Sequence, residues 1–164
     1  MIFALRLIII LTDRNKWYYR NQTTQDMNEL IISIVDYNTK EIKKIREEVF
    51  VKEQNVPESL EWDGLDSEAK HILVKKENVF VGTARIFSDG HIGRVAVMKR
   101  YRGQGIGKSM INKLIEIAGN EGLRKVWLSS QCSAVMFYKK LGFTEFGKIF
   151  KDAGIDHIKM KKKL

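Results

Sequence analysis

Residues 95–109 read VAVMKRYRGQGIGKS. The alternating apolar residues at the start of this stretch predict a strand, and the helical pattern Met110–Ala118 follows directly after its end. Gly103, Gly105 and Gly107 lie in the turn between the two elements, among lysine and arginine side chains. Exposed N–H groups at a helix N-terminus bind phosphate oxygens, and glycines let the backbone approach the anion closely. The stretch therefore predicts a phosphate-binding strand–turn–helix unit.

Spacing distinguishes this turn from two common phosphate motifs. A Walker A loop requires Gly-x-x-x-x-Gly-Lys-Ser/Thr, and its first glycine would fall at Arg102. A dinucleotide fingerprint requires Gly-x-Gly-x-x-Gly, whereas the glycines here occupy every second position. The pattern that fits is Arg-x-x-Gly-x-Gly, formed by Arg102, Gly105 and Gly107. The alternative is a glycine-rich turn that merely precedes a helix.

A second motif occupies residues 131–143, which read QCSAVMFYKKLGF. Its middle part, Ala134–Leu141, predicts a short helix that ends at Gly142, because glycine favours the position after a helix C-terminus. The segment Lys125–Leu128 before it predicts a strand. Within the helix, Tyr138 is either a catalytic hydroxyl or a residue that packs against the sheet.

The two motifs together resemble those of the GCN5-related N-acetyltransferases (GNAT). The first resembles the family's pyrophosphate loop. The second resembles its segment Asn-x-x-Ala-x-x-x-Tyr-x-x-x-Gly-Phe, with Gln131 in place of the commoner asparagine. The resemblance implies an α/β (α+β) fold with a mixed, mostly antiparallel central sheet flanked by helices, and acetyl-CoA as the cosubstrate. It also implies that Tyr138 is the general acid that protonates the departing CoA thiolate. A phenol with a pKa of ~10 can protonate a thiolate whose conjugate acid has a pKa of ~8.5.

The resemblance also implies a cofactor site. The strand is expected to offer backbone groups of Val95 and Val97 to the pantetheine amides, and the turn is expected to surround the pyrophosphate. The full set of cofactor-binding residues is Val95, Ala96, Val97, Arg102, Gly103, Gln104, Gly105, Ile106, Gly107, Lys108 and Gln131.

Shorter segments resemble the ElaA/YjcF-like branch of small bacterial GNAT proteins. These segments are residues 48–57, 63–66, 69–72, 92–95 and 152–160. The branch often has proline before the histidine of the last segment, where this chain has Asp156. The resemblance extends from Leu30 to Met160, and it implies the cofactor and the reaction type but not the acceptor.

Three residues are candidates for the general base that deprotonates the acceptor amine: Glu53, Glu61 and His71. Each has an alternative role, as a solvated loop carboxylate or as a hydrogen-bonded strand residue. A water molecule that relays the proton would remove the need for any of them. Cys132, beside Gln131, could be a thiol nucleophile, but GNAT chemistry usually needs no acyl-enzyme, so we interpret it as a packing residue.

An acidic loop, residues 53–68, interrupts an otherwise basic chain. Its six carboxylates are those of Glu53, Glu58, Glu61, Asp63, Asp66 and Glu68. In the family this segment lies on the acceptor side of the sheet, so a negative rim would attract a cationic acceptor such as a polyamine, an amino sugar or a lysine side chain. Asp63 and Asp66 are the predicted substrate-binding residues. The alternative is a loop that is acidic only for solubility.

The composition is typical of one globular domain. The chain has 164 residues, 44% hydrophobic and 30% charged, which suffices for a single core. Its formal net charge of +9 could suit nucleic acid. However, much of the excess lies around the phosphate turn and in the lysines of residues 159–163, interpreted as a solvated end, and neither region interleaves basic and aromatic residues. We expect neither nucleic-acid nor membrane partners.

A CoA-binding protein of this fold without acyl transfer is the main alternative to an enzyme. No Cys/His cluster has metal-ligand spacing, so no metal is expected.

The N-terminal segment differs from the rest of the chain. Met1–Leu11 is apolar except for Arg6, shorter than the ~20 residues of a spanning helix and without the features of a secretory signal. Residues 13–25 are polar and predict a linker. We expect residues 1–26 to be an extension before a natural start at Met27, and residues 27–164 to form one GNAT domain. The single cysteine fits a reducing cytoplasm, and we expect a monomer or homodimer.

Apolar periodicity predicts the remaining elements. Helices are expected at Thr39–Val49, with Ile42, Ile45 and Val49 facing inward, and at Gly107–Gly119, with Ile111, Leu114, Ile115 and Ala118 facing inward. Further strands are expected at Leu30–Val35, Ala69–Lys75, Val79–Ile86, Gly90–Met98, Phe143–Ile149 and His157–Met160.

Overall fold

The structure is a computed structural model that describes residues 8–9, 16–20 and 29–164. Within these ranges, nine strands form one sheet in the order β1-β2-β3-β4-β5-β6-β7-β9-β8. Their bounds are β1 Ile8–Ile9, β2 Lys16–Arg20, β3 Leu30–Val35, β4 Ala69–Lys76, β5 Val79–Phe87, β6 His91–Val97, β7 Lys125–Gln131, β8 Thr144–Asp152 and β9 Ile155–Lys163. Neighbouring strands are antiparallel except for β6 and β7, which are parallel. The mixed, mostly antiparallel sheet that the sequence predicts is therefore confirmed.

In the part of the chain that the structure describes, four α-helices accompany the sheet. They are α1 Lys40–Arg46, α2 Glu58–Glu61, α3 Ile106–Asn120 and α4 Val135–Lys140. A π-helical segment, Glu47–Glu53, continues α1 beyond the end predicted at Val49. Short 3₁₀ turns occupy Asp66–Glu68, Lys99–Tyr101 and Cys132–Ala134.

Different helices cover the two faces of the sheet. Because successive strand residues point to opposite faces, each strand contributes side chains to both cores. On one face, α3 buries Ile111, Leu114 and Ala118 in the larger core, which includes Ile72 of β4. On the other face, α1 and the π-helical segment bury Ile42, Ile45 and Val49 against Leu73 of β4 and Ala96 of β6. These inward positions agree with the prediction, except that Ile115 is only partly buried.

A gap opens between β6 and β7, and we call it the fork. The two strands share only two register pairs, His91↔Trp127 and Ile92↔Leu128. Beyond Ile92, β6 continues beside β5 alone, and Met98 N donates to Val81 O of β5 at 2.9 Å. Because backbone groups alternate along a strand, those of Val95 and Val97 point away from β5 and into the fork.

The N-terminal strands differ from the sequence prediction. Residues 13–25 are predicted to be a linker, yet Lys16–Arg20 forms β2, which pairs with β3. Backbone pairing with an exposed edge needs no apolar pattern, so the sequence does not reveal it. The predicted start at Met27 and most of the apolar segment 1–11 lie outside the described residues.

The C-terminal lysines belong to strand β9 and not to an irregular tail, although Lys159, Lys161 and Lys163 are exposed to solvent as predicted. Ile158 and Met160 are buried in the core, so the lysines at alternate positions point to the opposite face. There, Lys159 Nζ lies 5.7 Å from the ring centroid of Trp127, and Lys161 Nζ lies 5.1 Å from that of Phe146. Basic and aromatic side chains therefore do alternate on this face, contrary to the interpretation from sequence. Within the described ranges, no helix is both long and apolar enough to cross a membrane.

Candidate active site

The predicted phosphate turn connects the end of β6 to α3. Gly103 and Gly105 adopt positive φ angles of 75° and 80°, which favour glycine. Gly105 occupies the N-cap position of α3, where no side chain caps the helix. The first helical N–H groups lack intrahelical partners, and the helix dipole makes this end partly positive. The N–H groups of Ile106, Gly107 and Lys108 are therefore placed to bind an anion.

Side chains around the turn form a small polar network. Lys76 Nζ donates to Gln104 Oε1 at 2.5 Å. Arg102 Nε donates to Val97 O at 2.9 Å, and its two terminal nitrogens donate to the two carboxylate oxygens of Glu53 at 2.6 and 2.8 Å. The guanidinium group thus ties the turn to the end of the π-helical segment.

Helix α4 packs closely against the start of α3. A Cβ atom built on Gly107 would lie 3.3 Å from Phe137 Cζ, so glycine permits this approach. Gly142 ends α4 with a φ of 86°, and Phe143 N donates to Tyr138 O at 3.1 Å, as the glycine signal predicts.

Tyr138 lies in the core on the α3 face of the sheet and is 8% exposed. Its ring makes edge-to-face contacts with Phe137 and Phe143, at centroid distances of 4.9 and 5.8 Å. Burial raises the pKa of Tyr138 to about 12, so its hydroxyl stays protonated near neutral pH. The ring of Tyr138 therefore packs in the core, while its protonated hydroxyl still has a proton to donate as a general acid.

Two further predicted cofactor residues lie beside the fork. Gln131, the last residue of β7, donates from Nε2 to Gln54 Oε1 at 2.8 Å. This bond links β7 to the segment that follows the π-helical residues. Ala96, between Val95 and Val97, is fully buried and is in register with Thr83 of β5.

The three candidate bases are all engaged by other groups. Hydrogen bonds from Arg102 lower the pKa of Glu53, which makes it a weaker base. Burial lowers the pKa of His71, whose Nε2 lies 2.9 Å from Asp66 O and donates to it. Burial raises the pKa of Glu61, although Arg94 and Arg46 oppose this shift. Glu61 is only 2% exposed, with one oxygen 2.5 Å from Arg46 Nε and the other 3.0 Å from Arg94 Nε.

The acidic loop is held by three arginines from distant parts of the chain. Arg46 Nη1 and Arg85 Nη1 each lie 2.7 Å from Asp66 Oδ1, and Arg94 Nη2 lies 3.0 Å from Asp63 Oδ2. Arg85 also pairs with Asp63. Burial alone would raise the pKa of Asp63, but hydrogen bonds from Arg85 and from the backbone of residue 65 outweigh it and lower this pKa to about 2.

This network changes the interpretation of the loop. Three guanidinium groups face the carboxylates of Glu61, Asp63 and Asp66, so these residues do not present a negative rim. Glu58 and Glu68 remain exposed. The arginines lie in α1, β5 and β6, too far away along the chain for the loop sequence to reveal them.

Two residues that sequence reasoning did not assign contribute to this region. Arg94 has a φ of 51° in β6, and its Nη2 donates to Leu60 O and Glu61 O at 2.9 and 3.0 Å. Gln54 accepts the hydrogen bond from Gln131 at the end of β7. Arg94 lies in a segment that resembles the ElaA/YjcF-like branch, but no local signal identifies its partners.

Cys132 follows Gln131 and is exposed, so the interpretation as a packing residue is wrong. In the part of the chain that the structure describes, no group of three or more His, Cys, Asp or Glu residues could hold a metal ion.

Known protein families and sequence relatives agree with the architecture described above. Residues 33–164 match the family model of the acetyltransferase (GNAT) domain. The N-acetyltransferase YjcF of Bacillus subtilis is 39% identical over 137 residues, which cover 79% of this chain and 98% of YjcF. Protein ElaA of Escherichia coli is 32% identical over 129 residues, covering 74% of this chain and 84% of ElaA.

Solved structures agree with these relatives. The crystal structure of E. coli ElaA has a TM-score of 0.71 at 28% identity and covers 80% of this chain and 98% of its own. A GNAT family acetyltransferase from Elizabethkingia anophelis with acetyl-CoA bound shares the fold, with a TM-score of 0.64 at 16% identity over 82% of this chain and 98% of its own. The chain therefore belongs to the GNAT acetyltransferase family.

Proposed function

We propose that this protein transfers an acetyl group from acetyl-CoA directly to a primary amine, without a covalent enzyme intermediate. The observation that carries the proposal is the uncapped N-terminus of α3 beside the fork. The N–H groups of the glycine turn would bind the pyrophosphate, and backbone groups of Val95 together with the N–H of Val97 would bind the pantetheine amides. Val97 O already accepts a hydrogen bond from Arg102 Nε. The acetyl-CoA bound to the E. anophelis neighbour supports the choice of donor.

The reaction needs one bond to form and one to break. The amine nitrogen attacks the thioester carbonyl carbon, the C–N bond forms, and the C–S bond breaks to release the CoA thiolate. Tyr138 donates its hydroxyl proton to that thiolate and regains a proton from solvent. Its raised pKa keeps the hydroxyl protonated near neutral pH.

The acceptor that we propose is a small cationic amine or a lysine side chain. The electrostatic support for a cation is weaker than the sequence suggests, because arginines neutralise Glu61, Asp63 and Asp66. It now depends on Glu58 and Glu68 alone, since Glu53 also has an arginine partner.

The proposal is tested by two measurements on the full chain. Calorimetric titration with CoA measures binding, and release of free thiol from acetyl-CoA measures transfer across a panel of polyamines, amino sugars and lysine peptides. The matched variant is Gly105→Glu, which introduces a carboxylate at the anion site and a side chain at a φ of 80°.

We expect saturable CoA binding and amine-dependent thiol release for the parent, and loss of both for a folded Gly105→Glu variant. Binding without thiol release from any amine would identify a CoA-binding protein that lacks acyl transfer. No saturable binding by the parent would overturn the proposal.

A further inference from the structure

We propose that His157 is the general base that accepts a proton from the acceptor amine. This inference depends on the proposed acetyl transfer and adds the residue that activates the acceptor. It rests on the position of His157, on the hydrogen bond that fixes its tautomer, and on the engagement of the other candidate bases.

His157 lies on β9, one strand beyond β7, level with the open end of the fork. It is in register with Gln131, the last residue of β7, on the neighbouring strand β9. Ser130 and Ile158 are buried, and Ile158 belongs to the core on the α3 face, so Gln131 and His157 point to the opposite face. The bond from Gln131 to Gln54, which follows the π-helical segment, places both residues on the α1 face of the sheet.

The proposed acid and base therefore lie on opposite sides of the sheet. Tyr138 belongs to the core on the α3 face, whereas His157 is on the α1 face. A thioester held in the fork could then present its sulfur to Tyr138 while the amine approaches from the side of His157. The proton donor and the proton acceptor would not compete for the same space.

The local hydrogen bond of His157 leaves the reactive nitrogen available. Its Nδ1 lies 2.9 Å from Ile155 O, and a carbonyl oxygen can only accept, so Nδ1 carries the proton. In the neutral imidazole the lone pair is then on Nε2. None of the described residues is hydrogen-bonded to Nε2. The ring lies against Phe150, with 5.9 Å between centroids and a 30° interplanar angle, which holds its orientation.

The charged groups next to His157 are directed elsewhere. Asp156 pairs with Lys151 at 2.8 Å, and Lys159, two positions along β9, lies over Trp127. The residues that flank His157 on the neighbouring strands, Gln131 and Phe150, are uncharged. Among the residues that the structure describes, none therefore forms an ion pair with the imidazole.

The other two histidines of the chain are not placed for this role. His71 is 2% exposed, and its Nε2 already donates to Asp66 O. His91 stacks between Phe87 and Trp127, with centroid distances of 5.6 and 3.9 Å, at the closed end of the fork. Glu53 and Glu61 are held by arginines, as described above.

The proton steps balance as follows. His157 Nε2 takes one proton from the amine nitrogen as its lone pair forms the C–N bond, and Tyr138 gives one proton to the thiolate as the C–S bond breaks. The imidazolium then releases its proton to solvent, and the phenolate of Tyr138 regains one. From the neutral amine, the net products are therefore the acetamide and free CoA, with no net release of a proton. An acceptor that arrives as the ammonium ion first loses one further proton to solvent.

The test compares His157→Gln with the matched control His91→Gln, using an amine that the parent acetylates and its β-fluorinated analogue. Fluorine lowers the pKa of the amine with little change in size, so the analogue needs less help from a base. We expect His157→Gln to lower kcat/KM for the parent amine by about 10²- to 10⁴-fold, with a clearly smaller loss for the analogue and partial recovery in added imidazole. CoA affinity by calorimetry should stay within about twofold for both variants, and His91→Gln should keep the parent's activity to within about threefold.

The outcomes separate the two proposals. An active parent with an unimpaired His157→Gln variant would overturn the base assignment and leave acetyl transfer intact. An equal loss for both amines, without recovery in imidazole, would show a structural role and would also overturn it. A parent that acetylates no amine would overturn the proposed function, and the base assignment with it.

Discussion

Replacing Asp63 by asparagine tests whether the acidic loop is a structural ion-pair network. Asp63 accepts two hydrogen bonds from Arg85 and one from Arg94 Nη2. The substitution keeps the shape of the side chain but removes its charge. It leaves Arg85, which is 3% exposed, with Asp66 as its remaining carboxylate partner.

The magnitude follows from the pKa of Asp63, which falls from its ordinary value of 3.8 to about 2. At about 1.4 kcal/mol per pKa unit, this shift corresponds to about 2 kcal/mol of stability near neutral pH. The side chain is 25% exposed, and solvent screening reduces this figure. We therefore expect Asp63→Asn to lower the free energy of unfolding by about 1–2 kcal/mol at pH 7.

The pH dependence has a definite sign. The folded-state pKa is lowered, so the contribution is complete above the unfolded-state pKa and disappears as the pH falls through about 2. The difference between parent and variant should be constant from pH 7 to pH 5 and should fall to roughly half by pH 3. Urea unfolding followed by circular dichroism at these three pH values measures it.

Glu68→Gln is the matched control, because Glu68 is an exposed carboxylate of the same loop. Its effect should stay within about 0.5 kcal/mol at each pH. A Glu68→Gln variant as destabilised as Asp63→Asn, or a difference for Asp63→Asn that does not shrink at pH 3, would refute the reasoning.

Two substitutions address the proposed acid and the weakest of the candidate bases. Tyr138→Phe should lower kcat by about 10- to 10⁴-fold with CoA affinity nearly unchanged, since only the hydroxyl is lost; steady-state kinetics with calorimetry measures both, and an unchanged kcat would exclude the acid role. Glu53→Gln should lower kcat by less than about tenfold, because the ion pair with Arg102 lowers the pKa of Glu53 and makes it a weak base. A loss of about 10²-fold or more in the same kinetic assay would return Glu53 to the role of base.

Local signals made much of the fold predictable from sequence. Three signals can be recognised within a few consecutive residues. They are the apolar spacing of α3, the glycines of the phosphate turn and the glycine after α4. Apolar spacing predicts helix α1 with its correct inward face but not its π-helical continuation to Glu53, because no side-chain pattern marks a π-helix. The length of β9 was also missed, since alternating lysines resemble a solvated tail until the strand that they pair with is known.

Some parts of the candidate site can likewise be predicted from sequence, and others depend on long-range contacts. The glycine turn and Tyr138 lie within contiguous motifs, so the sequence indicates them directly. The engagement of Glu61 by Arg46 and Arg94 joins residues 15 or more positions apart, which only the folded chain brings together. The tautomer of His157 depends on a single backbone carbonyl, and no residue pattern specifies which nitrogen keeps a lone pair.

The insertion of β9 between β7 and β8 constrains the order in which the sheet can be assembled during synthesis. Strands β3 to β6 follow one another in space as they do in the chain, so they can pair as they leave the ribosome. Strand β7 cannot gain its second neighbour until β9 has emerged, and β8 joins the sheet only through β9. The side of the fork that carries Gln131 and His157 is thus completed last, as a hairpin that docks onto a preformed half-sheet.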